Sequence, residues 1–117
     1  MQKKARDVVV VRVSEQGDRD EENFHSPKAQ LAKAKSWSEE QGNRVVEAFE
    51  EIDVSGKLPL ARRPGLLRAI EMVEAGEADH IVVAYFDRLV RSLKVQLEVI
   101  ERVERRAVRS TRSITAG

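Results

Sequence analysis

Three groups of residues have the types and spacing to act on an anion. The first is Arg12-Val13-Ser14, in which a hydroxyl follows a β-branched run. A lone serine at such a place is ordinarily a turn or cap residue. Arg12, however, shares a sheet face with Ser14 through the two-residue period of a strand, and an arginine inside an apolar run needs an anionic partner or an opening to solvent. A buried ion pair with Asp53 or Glu51 would meet that need equally well. The second group is Asp87-Arg88-Leu89-Val90-Arg91. Arg88 and Arg91, three apart, lie on one side of a helical turn and can converge on one phosphate, whereas Asp87 neutralising Arg88 would make a plain surface cluster. The third is Arg63 before Pro64, a guanidinium at a helix N-terminus, where the helix dipole favours an anion and makes a cation locally unfavourable. Gln30 can donate to the same place.

The chemistry these residues suit is phosphoryl transfer. A serine hydroxyl is a poor nucleophile near neutral pH and needs activation. His25 falls in a loop and His80 begins a strand at the opposite edge, so neither is placed as a base. Arginine stays protonated and serves electrostatics, and three or four guanidiniums can stabilise a phosphoryl centre without a metal. Two other readings stay open on the residues alone. One is a metal-dependent phosphotransfer or hydrolase domain with Asp53 and Asp87 as cation ligands. The other is a non-catalytic α/β module whose arginines form protein interfaces.

The elements that must position these groups follow from the pattern. Val8–Val13 reads as a buried parallel strand. Ser26-Pro27 caps and opens a helix that runs through Leu31, Ala34 and Trp37 to Gly42. Arg44–Phe49 is a second strand, followed by a loop with Val54-Ser55-Gly56 and Pro59. Pro64 opens a helix with Leu66, Leu67, Ile70 and Val73 on one face and Gly76 at its end. His80–Phe86 is a third strand. Ser92 caps a helix whose Leu93, Leu97, Ile100 and Val103 fall at helical spacing, and a short strand follows near Ala107–Thr111. This alternation predicts an α/β domain, three layers α/β/α around a mostly parallel sheet. In such sheets ligands bind beyond the carboxyl ends of the strands, where Arg12-Val13-Ser14, the Asp53-Val54-Ser55-Gly56 loop and Asp87-Arg88 with Arg91 would gather.

Bulk composition agrees with one domain of 117 residues. Aromatic residues are only 4%, so the core must be built from Val, Leu, Ile and Ala. The charged fraction is 35% with a net charge of +1, acidic at Asp18, Asp20, Glu21 and Glu22 and arginine-rich later. The absence of cysteine excludes disulfides, thiolate metal sites and Cys nucleophiles. No signal peptide or membrane span is expected, which places the protein in the cytoplasm.

Taken in order, Arg12-Val13-Ser14, Ser26-Pro27 with Gln30, Asp53-Val54-Ser55-Gly56, Arg63-Pro64-Gly65-Leu66 and Asp87-Arg88-Leu89-Val90-Arg91-Ser92 resemble the motifs of the serine recombinase catalytic domain, that of resolvases, invertases and large serine integrases. The match spans about residues 7–112. The resemblance implies a resolvase-like fold and double-stranded DNA as partner. It implies Ser14 as the nucleophile that forms a 5′-phosphoserine link, and Arg12, Arg63, Arg88 and Arg91 as the arginines around the phosphate. Gln30, Ser55, Asp87 and an acidic residue before the Ser-Gly turn match supporting positions; Asp53 is the choice for the last, with Glu51 the register alternative. Neither metal nor cofactor is implied. The family works as a dimer that pairs into a tetramer and continues into a long helix and a DNA-binding domain, so this chain is expected to be a truncated catalytic domain. The acidic loop of residues 15–22 would repel DNA and is expected to swing away on binding.

Overall fold

A computed structural model describes residues 4–13, 27–52, 55–84, 89–104 and 107–110. Ser14, Asp53, Asp87 and Arg88, together with the acidic loop, Ser26 and His25, lie outside the described residues. Strands β1 (Arg6–Val13), β2 (Arg44–Ile52), β3 (His80–Val83) and β4 (Val108–Ser110) form a four-stranded sheet in the order β2-β1-β3-β4. All three pairings are parallel. Helices α1 (Pro27–Glu40), α2 (Pro64–Glu74) and α3 (Leu93–Val103) complete it, with a 3₁₀ turn at Leu60–Arg62.

The valine run builds the centre. Val8, Val9 and Val10 have no exposed surface and Val11 has 1%, so β1 is covered on both faces. Val8 and Val10 pack with Leu66, Ala69 and Ile70 of α2 and Val95, Val99 and Val103 of α3. Val9 and Val11 pack with Ala34, Leu31 and Trp37 of α1. Each buried valine contributes about 1.5–3 kcal/mol before conformational entropy is counted. The result is the expected three-layer arrangement.

Two helices stop where glycine was expected to stop them. After α1, Gly42 has φ +77°, its N–H donates to Glu39 O, and Asn43 N–H reaches back to Ser38 O. After α2, Gly76 has φ +78°, with Gly76 N–H on Val73 O and Glu77 N–H on Met72 O. Both are Schellman closures, which require a left-handed residue that glycine adopts without strain.

The inner face of α3 is not the expected one. Val95, Val99 and Val103 are buried, whereas Leu93 and Leu97 are 69% and 52% exposed. The helix carries two apolar stripes, and periodicity cannot choose between them. Its rotation is set at the N-terminus, where Ser92 Oγ accepts from Val95 N–H and Gln96 Nε2 donates to Val90 O at 2.7 Å. Those anchors turn the valines inward.

At the amino ends of the strands, Asp7 is fully buried. It accepts from Ser38 Oγ at 2.6 Å and from Asn43 Nδ2 at 3.1 Å, and His80 Nδ1 lies 2.9 Å from its Oδ1. These bonds join β1, α1 and β3, so His80 is a structural partner at the amino ends of the strands. No helix among the described residues is long and apolar enough to cross a membrane.

Candidate active site

The carboxyl ends of the strands are held by a small set of buried polar bonds. Glu51, near the end of β2, has only 4% of its surface exposed. Its Oε1 accepts from Arg63 Nε at 2.8 Å, and its Oε2 accepts from the backbone N–H of Leu66 at 3.0 Å. Arg63 Nη2 lies 2.6 Å from the same Oε1, but no N–H of Nη2 is aimed well enough for a hydrogen bond, so this contact is ionic. Arg63 Nη1 donates to the carbonyl of Leu89 at 2.8 Å. One carboxylate therefore neutralises the arginine and supplies an acceptor to the first turn of α2, where helix ends lack one. Pro64 suits that start because its missing N–H would have had no partner.

Gly65 makes the approach possible. A Cβ at this position would lie 2.9 Å from Glu51 Cγ, closer than real Cβ contacts allow. The absence of a side chain lets the Glu51 carboxylate lie across the helix start.

The end of β1 is fixed from the other face. β3 pairs with β1 at Asp7, Val8 and Val9. Further along, Gln30 of α1 donates from Nε2 to Arg12 O at 3.0 Å and accepts from Arg12 N–H at 3.4 Å. The amide thus serves Arg12 as a strand neighbour would. On the side of β2, Arg12 stands opposite Glu51 in the register, so the two share a sheet face. Arg12 is buried, at 8% exposure.

The loop after β2 is a tight turn, in which Ser55 Oγ accepts from Lys57 N–H and Ser55 O from Leu58 N–H. Gly56 O accepts from Arg91 N–H at 2.8 Å. This bond sets exposed Ser55 beside the start of α3, where the Arg91 side chain is also exposed. Residues 89–92, which carry Arg91, are thus held twice, through Leu89 O and through Arg91 N–H.

The structure therefore brings together Arg12, Gln30, Ser55, Arg63 and Arg91, and gives Arg63 and Gln30 internal partners. The Arg63 side chain is fully buried, donating to Glu51 and to Leu89 O. The anion demanded by a cation at a helix start is internal. The buried carboxylate that serves it is Glu51, the register alternative. Gln30, similarly, is engaged with the Arg12 backbone and orients the strand that leads to Ser14. Sequence reasoning missed the Gly65 and Leu89 contacts. Gly65, directly after Arg63-Pro64, was the available signal for a close approach.

The family described as resolvase, N-terminal domain, matches residues 8–111. The chain belongs to the resolvase family of serine recombinases. Among solved structures, this recombinase domain is similar to the N-terminal catalytic domain of TP901-1 integrase, at 25% identity over 91% of this chain and 77% of that one, with a TM-score of 0.75. It is also similar to the C-terminal catalytic domain of ISC1926 TnpA, an IS607-like serine recombinase, at 27% identity over 90% and 67% of the two chains, with a TM-score of 0.68. The first open reading frame of transposon ISC1904 from Sulfolobus solfataricus P2 shares the fold, at 24% identity over 91% and 65%, with a TM-score of 0.55. No curated protein sequence matches. The recombinase domain is thus a catalytic domain for DNA breakage and rejoining, and its family acts on DNA. The comparisons do not favour the metal-dependent hydrolase or the non-catalytic module.

Proposed function

We propose that Ser14 is the nucleophile of this recombinase domain and that Arg12, Arg88 and Arg91 surround the scissile phosphate of double-stranded DNA. Ser14 Oγ attacks phosphorus, the bond from phosphorus to the 3′ oxygen breaks, and the 5′ phosphate remains esterified to Ser14. The proton lost by the serine is balanced by the one the 3′ oxygen takes up. The phosphoserine ester keeps the bond energy of the diester, so the 3′ hydroxyl of an exchanged strand can reverse the step without a cofactor. The guanidiniums stabilise the charge on the five-coordinate phosphorus, electrostatic work that needs fixed positions. Arg63 is a positioning residue acting through Glu51 and Leu89 O. Gln30 and Ser55 support the site through the backbone, and Asp53 and Asp87 balance its arginines.

The observation that supports this reading is the set of bonds at one sheet edge. Gln30 to Arg12, Glu51 to Arg63 and Leu66, Arg63 to Leu89, and Gly56 to Arg91 tie four chain segments together. In sequence, Ser14, Asp53 and Asp87-Arg88 lie directly beside those tied residues. The acting species is a dimer that pairs into a tetramer, in the cytoplasm.

The test is covalent capture. The protein is incubated with a pool of nicked random-sequence duplexes, denatured, and digested for mass spectrometry. A nucleotide phosphate on the peptide containing Ser14, absent from Ser14→Ala, is the expected result. An adduct that persists in Ser14→Ala, or activity abolished by a chelator, refutes the assignment.

A further inference from the structure

The amino ends of the strands, opposite the cleavage edge, carry a second concentration of positive charge. Arg6 and Arg44 open β1 and β2 and are register partners, with Arg44 N–H donating to Ala5 O at 2.9 Å. Partners in parallel strands project to the same face from backbones about 5 Å apart, and like charges so placed repel. Lys4, just before β1, lines the same concavity and adds a third cation.

Among the described residues a single carboxylate pairs with this group. Asp79 Oδ2 accepts from Arg6 N–H at 2.7 Å and Nε at 3.2 Å, and its Oδ1 accepts from Arg6 Nη2 at 3.1 Å. Asp79 N–H in turn donates to Arg6 O at 2.7 Å. Arg6 is thereby locked and neutralised. The side chains of Lys4 and Arg44, both exposed, have no hydrogen bond or ion pair among the described residues. Together with Ala5, these four residues line an open cavity of about 850 Å³.

The concavity therefore presents two uncompensated cations above a fixed Arg–Asp pair. That charge matches one phosphate group, which bears about −1.5 to −2 as a monoester. The planar fork of Arg44 can take two of its oxygens while Lys4 supplies a compact charge. The eight residues of β1 set this cavity roughly 23 Å from the cleavage edge, so the two sites are distinct.

We propose that this edge is a second phosphate-binding site, in which Arg44 and Lys4 hold a phosphate borne on a nucleotide or on a DNA backbone while Asp79 neutralises Arg6. The inference does not depend on Ser14 chemistry, and its test is run on Ser14→Ala protein so that cleavage plays no part.

The test uses the arginine Nε–Hε resonances of ¹⁵N-labelled protein. Adenosine monophosphate and a short non-cognate DNA duplex are titrated separately. Saturable shifts at Arg44 and Arg6 are expected from one of them, and they persist in an Arg91→Ala background. Arg44→Ala and Lys4→Ala, both exposed positions that leave the fold intact, each weaken binding by about tenfold or more, as loss of one charge-assisted contact implies. Asp79→Asn removes the competing carboxylate and tightens binding. Saturation by the monophosphate identifies a nucleotide site. Saturation by the duplex alone, with a salt dependence lowered by about one unit on removing Arg44, identifies DNA backbone. Absence of Arg44 shifts with both probes at millimolar concentration, or shifts that Arg44→Ala leaves in place at Arg6, overturns the proposal. Neither result bears on covalent capture at Ser14.

Discussion

Glu51→Gln isolates the buried bond set. The wild-type carboxylate accepts from Arg63 Nε at 2.8 Å and from Leu66 N–H at 3.0 Å, and neutralises a guanidinium with no exposed surface. Glutamine keeps one acceptor oxygen and turns an NH₂ group toward whichever donor it abandons. It also leaves the Arg63 charge without its counter-ion. Breaking a buried pair from one side costs about 3–5 kcal/mol, and the retained acceptor puts this variant near 3 kcal/mol. Against a domain stability of about 5–15 kcal/mol, that loss is large. Urea unfolding, followed by Trp37 fluorescence and by circular dichroism, measures it. The double variant Glu51→Leu/Arg63→Met removes both charges, and should recover at least about 2 kcal/mol relative to the sum of the two singles. A Glu51→Gln cost below about 1 kcal/mol at unchanged denaturant slope, or strict additivity in the double variant, would refute the reasoning.

Other outcomes follow from the same contacts. Gly65→Ala should destabilise by about 1–2 kcal/mol in urea unfolding, despite the better helix propensity of alanine, because its Cβ meets Glu51 Cγ at 2.9 Å. On α3, Val99→Ala should cost about 2 kcal/mol while Leu97→Gln stays within about 0.5 kcal/mol, and equal costs would contradict the observed rotation. Gln30→Leu should lower stability by about 1–3 kcal/mol through loss of its two bonds to the Arg12 backbone, and should reduce Ser14 adduct formation in the capture assay. The Arg6 side chain and backbone hold the Asp79 carboxyl below its ordinary 3.8, and Arg102 does the same to Glu74 from 4.5. Both folded-state values are depressed, so their stabilisation is present above the unfolded carboxyl range and is lost as pH falls through the lower folded values. Urea midpoints should therefore fall more steeply below about pH 4 in wild type than in Asp79→Asn/Glu74→Gln.

Much of this fold is local in origin and therefore legible along the chain. The valine run names the central strand because a strand covered on both faces is apolar at every position, not at alternate ones. Pro27 and Pro64 mark helix starts, and Gly42 and Gly76 mark the stops, because fixed φ and left-handed φ are properties of single residues. The ordered motifs pointed to the family, and Ser14 with its arginines to phosphate chemistry. Tertiary structure alone decided which arginines are free to use. Arg63 and Arg91 read alike in sequence, yet one is consumed by Glu51 and Leu89 O while the other faces solvent. The same holds for α3, where two apolar stripes compete and Gln96 on Val90 O turns the valines inward. The reason is common to both: an ion pair or a helix rotation depends on groups distant in sequence, and burial makes only one pairing satisfy every donor and charge.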